Sequence, residues 1–165
     1  MTIDRRFSDD LALAHGLALG VPLVAMATAL VAQYGFGLPP CEMCWWQRYG
    51  HLAAIALAIL ALLRRGRPEA RWLVLLAALG ILSSGLIGAF HAGVEYHWWE
   101  GLTTCSSSHI EGDPLAAIMA APLVRCDTPA WTLMGVSMAG FNFLFSTPAA
   151  LAILGLLAKG RGKGA

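Results

Sequence analysis

Cys41 and Cys44 form a Cys-x-x-Cys pair, the spacing of dithiols that cycle between thiol and disulfide, and Cys105 and Cys126 supply a second pair separated by twenty residues. Thiol–disulfide exchange needs a thiolate attacker and an accessible partner sulfur. Four thiolates could also hold a structural zinc, but two Cys-x-x-Cys knuckles are the usual pattern for that, and the second pair lacks the spacing. Haem attachment requires a histidine directly after the second cysteine, where this chain has Trp45. No metal is therefore expected. Two inert structural disulfides stay open as an alternative at this point.

The neighbours of the first pair favour reactivity. Pro39 and Pro40 do not extend a helix backwards, so a helix is expected to start near Cys41 with Cys44 in its first turn. Free amides and the positive end of the helix dipole stabilise a thiolate there. Arg48 follows Cys44 by four residues, hence lies one turn deeper on the same face. A guanidinium is always charged and costly to desolvate. As a lone residue it could snorkel as a topological anchor, but beside Cys-x-x-Cys it is expected to stabilise an anion. His51 shares that face, where it could equally hydrogen-bond inside a bundle. His91 is expected to end another helix at the same membrane edge and to meet the mouth of the Cys44 helix.

These residues must be positioned by membrane helices. The chain is 58% hydrophobic and 13% charged, with a mean hydropathy of +0.64, whereas soluble domains carry about 25% charged residues. Four apolar stretches reach the ~20 residues that cross a bilayer: Leu11–Gln33, Trp45–Leu63, Trp72–His91 and Thr132–Ala158. The expectation is a single all-α integral membrane domain over residues 1–165, a four-helix transmembrane bundle, because a helix satisfies its own backbone groups in lipid. The fourth stretch contains Asn142 and Pro148 and is expected to tilt or kink. Ala27 and Ala29 resemble a signal-peptidase site, but the apolar run before them exceeds the ~7–15 residues of a signal core.

Nine of the eleven Lys and Arg residues lie on one side of these spans: Arg5, Arg6, Arg64, Arg65, Arg67, Arg71, Lys159, Arg161 and Lys163. The positive-inside rule makes that side, with both termini, cytoplasmic. Outer loops over about 34–44 and 92–131 then hold all four cysteines together with Glu42, Glu95, Glu100, Glu111, Asp113 and Asp127. Disulfides persist in that compartment and are rare in the cytosol. Within the second loop, "DPLAAIMAAPLV" is too short to span and reads as a short interfacial helix or re-entrant segment, while "TTCSSS" makes Cys105 the more accessible thiol. Trp45, Trp46, Trp98, Trp99 and Trp131 suit an aromatic belt. The net charge of +1, with the basic residues explained by topology, gives no support to a nucleic-acid partner.

"PPCEMCWWQR" after the first span, "FHAGVEYHWWEG" after the third and "RCDTPAWTLMGVSMAGFN" leading into the fourth resemble, in order and along the whole chain, the DsbB family of bacterial disulfide-bond formation proteins. The resemblance implies a bacterial inner-membrane thiol:quinone oxidoreductase. Such a protein re-oxidises a periplasmic thioredoxin-fold oxidase of the DsbA type and passes the electrons to ubiquinone or menaquinone. Carried onto this chain, it implies that Cys105 forms the mixed disulfide with the partner and Cys126 resolves it. Cys41 would exchange with the loop pair, and Cys44 would face the quinone, with Arg48 and His91 beside it. A vitamin K epoxide reductase-like protein is the alternative enzyme, but there Cys-x-x-Cys comes late in the chain. A non-catalytic membrane protein with two structural disulfides is the alternative outside enzymes. Which quinone and which thiol partner are used, whether the protein self-associates and whether His51 has a role are not legible in the residues.

Overall fold

A computed structural model describes residues 2–102 and 124–159, with side chains from residue 9 onward. Four helices are long and apolar enough to cross a membrane. α1 (Thr2–Leu30) continues through a π-helical turn at Val31–Gly35; α2 spans Glu42–Leu63, α3 spans Glu69–Glu95 and α4 spans Met138–Lys159. The expected all-α transmembrane bundle is the architecture adopted. The interfacial helix expected within residues 113–124 falls almost entirely outside the described residues.

Of the helix boundaries nearest the cysteines, those of the fourth and third helices differ from the sequence expectation, each for a local reason, while the second helix starts beside Cys41 as expected. The fourth helix starts at Met138 rather than Thr132, because Thr132–Leu133 (β1) and Val136–Ser137 (β2) form an antiparallel hairpin, Thr132 opposite Ser137. Its turn places Met134 and Gly135 at φ 51° and 79°, the left-handed pair of a two-residue hairpin turn. Ser137 then caps α4, its Oγ accepting the Gly140 N–H at 3.1 Å. The second helix starts at Glu42, so Cys44 belongs to its first turn. The third runs on to Glu95, which places that carboxylate in the bundle rather than in a loop. Beyond it the Trp98 N–H reaches Gly93 O at 2.8 Å and the His97 N–H reaches Val94 O at 3.1 Å. That is the Schellman closure, with His97 left-handed at φ 57°.

The core is built of small residues. Ala14, Ala18, Ala54, Ala58, Ala77, Ala78 and Ala150 are completely buried, joined by Val74, Ile81 and Ile153, while Val24, Leu86, Phe145 and Leu151 face outward. Lipid tails are as apolar as leucine, so helices associate through close packing and interhelical hydrogen bonds instead of hydrophobic exclusion. α3 packs against both α2 and α4, and α1 closes the bundle against α2 and α4. Gly50 and Gly80 set the closest approach: a Cβ on Gly50 would stand 2.9 Å from Gly80 O. Two hydrogen bonds tie the other seams, His15 Nε2 to Ala58 O at 2.8 Å and Arg71 Nη2 to Leu157 O at 2.5 Å.

Candidate functional site

Gly37 at φ 67° turns the chain after α1, and Pro39 and Pro40 lead it in extended form to Cys41. Cys41 is the N-cap of α2, with φ −76° and ψ 176°. Its Sγ accepts the Cys44 N–H at 3.4 Å, the place an oxygen takes in an ordinary cap. The two sulfurs stand 3.0 Å apart with Cys41 donating. Both are free thiols, Cys41 buried and Cys44 half-buried. The hydrogen bond to Cys44, reinforced by burial, pushes the Cys41 thiol up, so Cys41 holds its proton and Cys44 is the sulfur that receives the hydrogen bond. This position also meets the unpaired amides and positive dipole of the helix start.

The second and third helices bring His91 to this pair. Its Nε2 lies 3.5 Å from Cys41 Sγ and 3.8 Å from Glu95 Oε1 one turn along α3, and the ring is buried. Cys41, Cys44 and His91 place one donor atom each within 4.8 Å of the others. Tetrahedral zinc with ~2.3 Å bonds to sulfur would hold two thiolates roughly 3.8 Å apart. The 3.0 Å separation therefore describes a dithiol set for disulfide chemistry rather than a ready zinc site.

Arg48 is buried. Its Nη1 donates to Gln33 Oε1 at 2.6 Å and its Nη2 to Ala29 O at 3.3 Å, with the guanidinium 5.0 Å from the Trp45 ring centroid. Gln33 belongs to the π-helical turn of α1, a device that re-aims side chains at a helix end. Among the described residues Arg48 has no acidic partner. It is thus a desolvated cation held by neutral oxygens and an aromatic face, with its charge left to act on a neighbour.

His51 points elsewhere. Its Nε2 meets Asn142 Oδ1 at 3.0 Å, inside a polar cluster that the sequence reading did not assemble. Asn142 Nδ2 donates to Gln47 Oε1 at 2.8 Å and to Ser84 O at 3.0 Å. Ser146 Oγ donates to Asn142 Oδ1 at 2.6 Å, and Gln47 Nε2 reaches His91 Nδ1 at 3.0 Å. Gly88 makes room for this cluster: a Cβ there would lie 2.8 Å from Ala139 O and 3.1 Å from Gln47 Oε1. The available signal was the polarity of Gln47 and Asn142 inside apolar spans, which is costly unless partnered.

Cys126 is fully buried and packs in one cluster with Cys41, Met43 and Val94, and it is disulfide-bonded. The second cysteine pair is thereby brought to the first through Cys126; Cys105 lies outside the described residues. Beside it Arg125 Nε donates to Asp127 Oδ1 at 2.8 Å, and this guanidinium holds the Asp127 carboxyl below the usual range. Trp99 flanks the site, its Nε1 donating to Phe90 O at 2.9 Å and its ring stacked on Phe90.

A free dithiol at a membrane-helix mouth, with a disulfide-bonded cysteine packed beside it, is an arrangement for moving disulfides, and the comparisons with known proteins agree. The family model for disulfide bond formation protein DsbB matches residues 12–157. A disulfide bond formation protein B of Verminephrobacter eiseniae is 33% identical over 145 residues, 82% of this chain and 79% of that protein. One from Acidovorax sp. JS42 is 31% identical over 151 residues, 85% and 83% of the two chains. An uncharacterized protein of Rickettsia prowazekii is 27% identical over 167 residues, 95% and 93% of the two. No solved structure matches the chain. The likeness runs through all four membrane helices and both cysteine-bearing connections, and the chain belongs to the DsbB family of membrane disulfide bond formation proteins.

Proposed function

We propose that this protein is a thiol:quinone oxidoreductase of the bacterial inner membrane. In this reading it takes electrons from a reduced periplasmic DsbA-type protein through Cys105 and Cys126, and delivers them through Cys41 and Cys44 to a membrane quinone, ubiquinone or menaquinone. The observation that carries it is the free Cys41–Cys44 pair in the first turn of α2, one turn from a buried and unneutralised Arg48. Nine basic residues on the opposite side of the four spans support cytoplasmic termini and periplasmic cysteines.

The electron path follows from thiol exchange. Cys105 forms the mixed disulfide with the partner and Cys126 leaves as thiolate; Cys126 does not resolve that bond, since its attack would only restore the starting disulfide, and the partner's second thiol closes its own disulfide instead. The reduced loop pair attacks the Cys41–Cys44 disulfide at Cys41, which Cys126 adjoins in the packed cluster. Oxidation of the resulting Cys41–Cys44 dithiol releases two electrons and two protons. A bound quinone supplies a lipid-soluble acceptor for both. The residues present fit such a group: Arg48 would offer positive charge where an oxygen gains negative charge, His91 would offer a ring nitrogen, and Cys44 is the half-buried sulfur of the pair.

The test is a coupled assay on the protein purified with its lipids. With a reduced thioredoxin-fold partner and ubiquinone, partner thiols and quinone absorbance are expected to fall together, one quinone per two thiols. Loss of neither, or of one without the other, overturns the reading.

A further inference from the structure

The polar cluster beneath the thiols has a direction. Met43 O and Ser84 O are backbone carbonyls and can only accept, so the amide atoms that meet them must be nitrogens. Gln47 Nε2 lies 3.2 Å from Met43 O and Asn142 Nδ2 lies 3.0 Å from Ser84 O, which fixes both amide orientations. Gln47 therefore presents N–H to His91 Nδ1 at 3.0 Å, and Asn142 presents N–H to Gln47 Oε1 at 2.8 Å. Upstream, Ser146 Oγ and His51 Nε2 both point at Asn142 Oδ1, at 2.6 and 3.0 Å.

With a donor facing Nδ1, the His91 proton belongs on Nε2. The groups on that side are acceptors: Cys41 Sγ at 3.5 Å, Glu95 Oε1 at 3.8 Å, and the Cys44 sulfur and Cys126 backbone carbonyl that His91 also meets. Cys41 in turn donates to Cys44 Sγ at 3.0 Å. The side-chain donations thus run one way, from His51 and Ser146 through Asn142, Gln47, His91 and Cys41 to Cys44, while the Cys44 backbone N–H donates back to Cys41 Sγ at 3.4 Å. Such a series is cooperative, each bond polarising the next.

We propose that Gln47 and Asn142 are positioning residues that lock His91 in the Nε2–H tautomer, so that a one-way hydrogen-bond chain spanning α4, α2 and α3 ends on the Cys44 sulfur. Under this arrangement His91 is a fixed donor to the thiol pair and not its base, because Nε2 is already protonated and Nδ1 is occupied. Flipping Gln47 would set Oε1 against Met43 O, and flipping Asn142 would set Oδ1 against Ser84 O, so neither amide can reverse alone. The functional weight of the chain rests on the reading that Cys44 is the sulfur that yields electrons; the tautomer itself does not.

The decisive measurement is the nitrogen NMR spectrum of 15N-histidine-labelled protein, reduced and in lipid nanodiscs, with the His91 signals identified by their loss in His91→Phe. The expected spectrum has Nε2 protonated and Nδ1 bare. Gln47→Leu is expected to raise the Nδ1–H share about fivefold, the weight of one ordinary hydrogen bond. Asn142→Leu moves the same signal less, since Met43 O still holds Gln47. A wild-type Nδ1–H signal, neutral or imidazolium, overturns the proposal, and so does an unchanged tautomer in a Gln47→Leu protein of wild-type helicity. If that variant does not fold, the wild-type spectrum decides. No partner or quinone is present, so this outcome is independent of the turnover assay.

Discussion

Arg48 and Cys105 divide the proposed reaction at its two ends, and single substitutions separate them. For Arg48→Met we expect quinone kcat/KM to fall by about 100-fold, the scale of losing one preorganised charge, with partner exchange intact. Unchanged quinone kinetics would return Arg48 to an anchor held by Gln33, Ala29 and Trp45. For Cys105→Ala we expect no partner oxidation, while the Cys41–Cys44 disulfide can still be reduced by a small thiol and regenerated by quinone; normal partner turnover would refute the assigned order. The Arg125–Asp127 pair beside Cys126 responds to acid in a defined direction. The Asp127 carboxyl is held below its ordinary value, so the pair's contribution is complete above the usual aspartate pKa of about 4 and is lost as pH falls through the lowered value. Unfolding midpoints followed down in pH, compared with Asp127→Asn, check this: the variant should lack that loss of stability.

At the element scale, the site depends on how closely three helices approach. Gly88 lets α3 lie against Ala139 of α4 and leaves space for Gln47 and Asn142. Gly88→Val is expected to destabilise the bundle by about 1–3 kcal/mol, seen as a lower unfolding midpoint in mixed micelles, and to slow quinone-linked turnover more than partner exchange. Equal loss of both would mean that the bundle fails as a whole. Ser137 joins the hairpin to α4 by accepting the Gly140 N–H, while Tyr96 Oη links Gly135 O and the Ser137 N–H at 2.8 Å each. Loss of the cap in Ser137→Ala should cost about 1 kcal/mol. The apolar pattern concealed this hairpin, because "TLMGVS" is as hydrophobic as the helix that follows. Only the paired backbone and the left-handed Met134–Gly135 turn separate them.

For the whole molecule, four spans with basic residues at one side argue that the dithiol, its arginine and the second cysteine pair meet at a single membrane face. Reporter fusions or impermeant thiol labelling in intact cells should find residues 64–67 on the cytoplasmic side and Cys105 outside; the opposite pattern would dismiss the proposed partner compartment. The bundle's apolar core is built mainly of alanine with Val74, Ile81 and Ile153, and its buried polar side chains gather around Gln47, His51, Ser84, His91 and Ser146. In lipid this is the pattern that lets backbones approach while leucine and phenylalanine remain outside. It also keeps the hydrogen-bond chain in a low-dielectric setting where its direction matters most.

Membrane character, the number of spans and the placing of Cys41, Cys44 and Arg48 along the start of one helix were all legible in the residues, because each is a matter of composition or of spacing within one helix. His91 was legible as a helix-end histidine, but its contact with Cys41 crosses from α3 to α2 and is set by packing. The partners of Arg48 and the joining of His51, Asn142, Gln47 and His91 were likewise decided by tertiary structure alone. These residues lie far apart in sequence and are polar for reasons no local pattern states: a buried amide is defined by the donor or acceptor that faces it. The direction of that chain is pinned by two backbone carbonyls, Met43 O and Ser84 O, whose placement exists only once the helices have come together.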